Sequence, residues 1–145
     1  MTTATAPEAL PADLELPLYR LTMMRAGYLF MGLGLAVVKW PVFLAGVHTL
    51  PLFEGVVACL LTAMSVLALA GLRYPIAMLP VLLFEAAWKL LWLTTVALPS
   101  AVSGSVDSAM QEVVVNCSLV VLILAVTPWR FVWRQYVVAP GDRWR

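Results

Sequence analysis

Charged residues are scarce in this chain, at 12% of the sequence against about a quarter in an ordinary soluble domain. With so few ions to hydrate a surface, a water-soluble globule is excluded. Histidine occurs once, at His48, and cysteine twice, at Cys59 and Cys117, with no C-x-x-C and no Cys/His spacing that suits a metal. No metal centre and no cofactor are expected. Both cysteines lie inside apolar runs and read as small packing residues, although a disulfide between them stays open because spacing gives no S–S distance. Ser100, Ser103, Ser105 and Ser108 lack a histidine partner in any recognisable nucleophile motif, and no Gly-rich loop follows a strand. The nine basic residues are dispersed and the net charge is +1, so nucleic acid has no clustered basic face to meet.

What is present is apolar length. Hydrophobic residues make up 63% of the chain and the mean hydropathy is +0.94. Four runs stand out, about 26–47, 52–72, 76–98 and 109–126. Each is close to the ~20 residues that cross ~30 Å of hydrocarbon as a helix. Open β structure would leave backbone donors and acceptors unpaired at that depth, and the runs lack barrel-type alternation. The expected fold is therefore an all-α integral membrane four-helix bundle. The breaks are Pro51, the Arg73-Tyr74-Pro75 turn and the stretch from Pro99 to Ser108, and the short connections predict antiparallel neighbours. Residues 1–20 begin Thr-, Ala- and Pro-rich without apolar periodicity and are expected to form a loosely attached tail. The basic flank before the first run also suits a signal peptide, but no small-x-small cleavage site follows convincingly and Lys39 interrupts the run. An uncleaved first span is expected.

Orientation follows from the basic residues. Arg20 and Arg25 precede the first run, Arg73 joins the second to the third, and Arg130, Arg134, Arg143 and Arg145 follow the fourth. The other two connections contain no Lys or Arg. The positive-inside rule then places both termini and the Arg73 turn in the cytoplasm. Residues 129–145 form a basic, aromatic segment. If helical, it sets Trp129, Trp133 and Tyr136 on one face with Arg130 and Arg134 beside them, as suits an interfacial helix with its rings among headgroups.

Chemistry concentrates in the third run, where Glu85 and Lys89 sit at membrane depth. Its eleven Leu, Ile, Val and Phe residues contribute roughly −3 to −7 kcal/mol to insertion, and two central charges cost roughly +5 to +7. The span is marginal alone. Glu85 and Lys89 are one helical turn apart, acid before base, and partly neutralise one another. Trp88 and Trp92 flank them. Counting along each run puts Lys39, Glu54, Glu112 and Asn116 in the same midplane-to-outer half, so these residues are the candidate binding set and a small polar pocket opening outward is expected. The competing interpretation is interhelical hydrogen bonding without further function.

The strings LRYPIAMLPVLLFEAAWKLLW and TPWRFVWRQYVVAPGDRWR resemble a group of small four-span bacterial membrane proteins. The plan of a Gly-rich first helix carrying Lys39, with Glu54 opening the second, is similar to that of DoxX-like proteins. The resemblance implies a bacterial inner membrane and adds no catalytic residue. DoxX-like families are often linked to redox or thiol stress, which no motif here supports.

The expected function is a non-enzymatic accessory subunit or a binder of lipid or a small ligand. Membrane lipids are the expected partners, with a homo-oligomer or a membrane-protein partner as further options. The alternatives are a proton- or ion-coupled transporter acting as an oligomer and a quinone-linked redox subunit. The topology has a direct test. A cysteine placed at Ser105 in a background lacking Cys59 and Cys117 should react with an impermeant thiol reagent from outside the cytoplasm. Labelling only from the cytoplasmic side would overturn the orientation.

Overall fold

The computed structural model describes residues 16–139, all helices and turns with no strand among them. Helix α1 spans Leu18–Gly46 and runs on through Pro41. It starts eight residues before the first apolar run, so Leu18, Tyr19 and Arg20 are helical, while residues 1–15 of the expected tail lie outside the described residues. Gly46, at φ 135°, turns the chain into a short 3₁₀ segment, Val47–Thr49. Only glycine takes that conformation without strain. Helix α2, Leu52–Gly71, matches its apolar run closely.

The third run is more broken than its composition suggests. Helix α3 covers Leu79–Trp92, with Pro80 in its first turn where a missing N–H costs nothing. A π-helical turn, Leu93–Ala97, then leads into α4, Leu98–Val102. The helix thus passes beyond Pro99, expected as its stop. Widening the turn before a proline rearranges the hydrogen bonds that the ring would otherwise disrupt. Asp107 caps the next helix by accepting from Met110 N–H at 2.7 Å. The fourth run divides into α5, Ser108–Ser118, and α6, Val120–Val126. Finally α7, Trp129–Trp133, continues into a π turn at Arg134–Val138.

Four stretches are long and apolar enough to cross a membrane: Leu18–Thr49, Leu52–Gly71, Leu79–Val102 and Ser108–Val126. Only 11% to 28% of their most apolar windows is buried within the chain, so most of the apolar surface faces outward. Helix α1 lies along α2, α2 meets α3, and α6 closes the ring by packing on both α1 and α3. The closure is tight where the Arg73 turn lies. Tyr28, fully buried, donates to the carbonyl of Pro75 at 2.8 Å, and Arg25 Nε donates to that of Leu72 at 3.1 Å. Small residues admit this approach: a Cβ at Gly71 would lie 2.5 Å from the Tyr28 ring, and one at Gly27 2.6 Å from Val126.

The buried core is unevenly distributed. Met24, Tyr28, Met31, Ala68, Leu79, Leu82, Ala86, Val120, Ile123 and Phe131 form one cluster, all in the half of the bundle nearer the Arg73 turn. Toward the His48 turn, α1 buries nothing after Gly32, and α2 and the end of the third span bury Ala58 and Ala97. Gly71→Ala should therefore destabilise the bundle by about 1–3 kcal/mol, because the Tyr28 ring it would meet is fully buried and tied to the Pro75 carbonyl. Gly34→Ala, where a Cβ meets nothing within 4 Å, should be neutral or slightly stabilising. Unfolding of both variants in mixed micelles distinguishes them.

Candidate functional site

The sequence places Glu85 and Lys89 on one face of α3, and the neighbouring helices close over them. Both are buried, Glu85 at 1% and Lys89 at 6% exposure. Lys89 Nζ lies 3.0 Å from Glu85 Oε1. Trp88 Nε1 donates to Glu85 Oε2 at 2.6 Å, so each carboxylate oxygen has its own partner. The Lys89 ammonium also lies 5.7 Å from the centre of the Trp88 ring, within cation–π range.

The third partner comes from another helix. Lys89 Nζ donates to the backbone carbonyl of Asn116 at 3.4 Å. The same carbonyl accepts from Leu119 N–H at 3.3 Å in a tightened turn, and this is where α5 gives way to α6. A side chain engaging a helix carbonyl is a recognised cause of such a break. The arrangement thus ties α3 to the fourth span. No buried side-chain nitrogen or oxygen among the described residues lacks a partner.

The remaining candidates do not join this pair in one pocket. Asn116 contributes its carbonyl, and its residue is otherwise exposed, as is Glu112. Trp92 is half-buried one turn beyond Trp88. Lys39, half-buried, and Glu54, exposed, line a separate open groove of about 330 Å³ between α1 and α2, near the His48 turn. Its other walls are Val42, Leu50, Phe53, Val57 and Ala58. No ion pair within 4.0 Å joins Lys39 to Glu54, and neither side chain makes a hydrogen bond to a described residue.

One polar link escaped the sequence reading. Trp40 Nε1 donates to Ser65 Oγ at 3.0 Å, pinning α1 to α2 one residue from Lys39. Only the indole's need for a buried acceptor would have signalled it. Cys117 is buried, whereas Cys59 is exposed instead of packed, and both are free thiols. Of the interfacial set, Trp129, Arg130 and Arg134 line a cavity at the Arg73 end, while Trp133 and Tyr136 are exposed away from it. Arg143 and Arg145 lie outside the described residues. No three His, Cys, Asp or Glu side chains among the described residues approach closely enough to hold a metal.

Comparison with models of known protein families, with curated proteins and with solved structures found no match.

Breaking the central pair from one side should cost more than removing it. Glu85→Gln and Lys89→Met singly each leave a buried charge without its counterion, at about 3–5 kcal/mol. The double variant should recover at least half of the summed loss. Equilibrium unfolding of the four proteins as a double-mutant cycle measures the coupling, and simple additivity would show the pair to be energetically idle.

Proposed function

We propose that the protein is a multi-pass protein of the bacterial inner membrane, with both ends and the Arg73 turn in the cytoplasm, and that it binds a lipid or another amphipathic small molecule without catalysing a reaction. The observation that carries this reading is the open groove between α1 and α2. It pairs two opposite, mutually unpaired charges, Lys39 and Glu54, with a wall of Val42, Phe53 and Val57. An occupant with a polar head and an apolar tail satisfies both parts at once. Its volume of about 330 Å³ falls at the small end of ligand pockets.

Desolvation sharpens the requirement. In hydrocarbon an unpaired ammonium is costly, and Lys39 sits ten residues from the end of the first span with Glu54 only three residues into the second. A long side chain can reach toward the interface, and a ligand headgroup placed between the two residues would shorten that reach. Transport by an oligomer has weaker support, because the buried ionisable residues that suggest it, Glu85 and Lys89, are occupied by each other, Trp88 and Asn116. Likewise, Trp88 is committed to Glu85, which leaves it poorly placed to stack a quinone ring.

Mild extraction followed by native mass spectrometry tests the reading. The wild-type chain should retain a small amphipathic molecule, and a Lys39→Met/Glu54→Gln variant of unchanged helicity should lose roughly nine-tenths of it, the effect of about 1.4 kcal/mol. Equal retention by both proteins would remove the groove from consideration.

A further inference from the structure

The opposite end of the bundle carries a second cavity with a different chemistry. It occupies about 510 Å³ where the start of α1 meets the end of α6 and the beginning of α7. Arg20, Arg130 and Arg134 line it, together with Tyr19, Thr127 and Trp129. Among the described residues, no acidic side chain lines it. The excess is a property of this whole end of the described chain. Arg25 and Arg73 lie there too, whereas Glu54, Glu85, Asp107 and Glu112 belong to the helix middles or to the other end.

These arginines are not equivalent. Arg25 is engaged by the Leu72 carbonyl and Arg73 by the Tyr74 hydroxyl, so both are turned to holding the α2–α3 turn. Arg20 rests on the Tyr19 ring, its guanidinium 5.4 Å from the ring centre, a contact that leaves its donors at the edge available. Arg130 is exposed on the cavity wall without a hydrogen bond or ion pair to a described residue. The start of α1 adds its own polarity: Pro17, which lines the same cavity, gives this 29-residue helix no side-chain cap.

We infer that this cavity binds the phosphoryl headgroup of an anionic lipid, held between Arg20 and Arg130. A planar guanidinium matches a phosphate in two parallel hydrogen bonds, and two of them on facing elements form a clamp. The site is built by residues far apart in the chain, since Arg20 lies in the first turn of α1 and Arg130 in α7. Exposed Tyr19 and Trp129 in its lining, with exposed Leu18 next to Tyr19 in the chain, provide the apolar and aromatic surface along which acyl chains lie. A freely diffusing phosphate has no use for that surface, which favours the lipid as source. The inference rests on the membrane placement proposed above, but not on the groove at Lys39 and Glu54.

The test uses the full chain in mixed micelles containing equal phosphatidylglycerol and phosphatidylcholine, read by native mass spectrometry. Wild type should retain phosphatidylglycerol in preference. Arg20→Gln/Arg130→Gln should reduce that preference by roughly 30-fold, and Arg130→Gln alone by roughly fivefold. Arg25→Gln/Arg73→Gln removes two charges from the same end outside the cavity and should keep most of it. No preference in wild type, or equal loss in the two double variants, would overturn the inference. Displacement of the lipid by an equal concentration of inorganic phosphate would assign the cavity to free phosphate and overturn the lipid assignment. Should Arg20→Gln/Arg130→Gln fail to fold by circular dichroism, the Arg130→Gln variant decides. Carbonate extraction of native membranes tests the membrane placement separately, since release of the chain into the soluble fraction would reject that placement whatever the lipid preference.

Discussion

A carboxylate and an ammonium cut off from water constrain everything around α3. Glu85 and Lys89 are one turn apart on the same helix, so forming the pair requires only two rotamers and no folding of the remainder. Keeping it buried requires far more. Each charge needs its remaining hydrogen-bonding capacity met, and the partners come from Trp88 on the same helix and the Asn116 carbonyl on the fourth span. The bend between α5 and α6 is the backbone's share of that cost. An apolar pair of similar volume would pack α3 with less demand on its neighbours, so what the ions add is position: one register of the fourth span brings a carbonyl to Lys89.

Much of this was legible in the sequence, for identifiable reasons. Apolar run length is a strong signal because the bilayer sets it, and the four stretches of the structure follow the four runs to within a few residues at most of their ends. Two ends moved. Helix α1 starts earlier because Leu18 to Arg25 form a helix whose Met24 packs in the core, and the third span passes Pro99 through a π turn. Neither is written in hydropathy, since both depend on what a tertiary neighbour or a rearranged hydrogen-bond ladder can tolerate.

Among the candidate residues, the Glu85 and Lys89 pair was readable from its spacing alone. Its third partner was not, because a backbone carbonyl has no residue type; Asn116 drew attention for an amide that lies exposed. Position along a helix was likewise readable, but azimuth across helices was not. Lys39 and Glu54 lie nearer the His48 turn than the central pair and line a groove of their own. The arginine cavity illustrates the same limit. Arg130 and Arg134 were expected beside their aromatic neighbours, while the convergence of Arg20 on them required knowing that α1 packs on α6 and that its start shares a cavity with α7.

The uneven core has a dynamic meaning. A bundle packed at one end and sparsely packed at the other does not loosen uniformly; its low-energy openings begin where few side chains are buried, around the halves of α1 and α2 nearer the His48 turn and the region of α4. Glu85 and Lys89 stand at the limit of the dense half, with Leu79 and Leu82 below them and few buried residues above. In that position the ion pair marks the border between the densely packed half of the bundle and the half where local opening costs least.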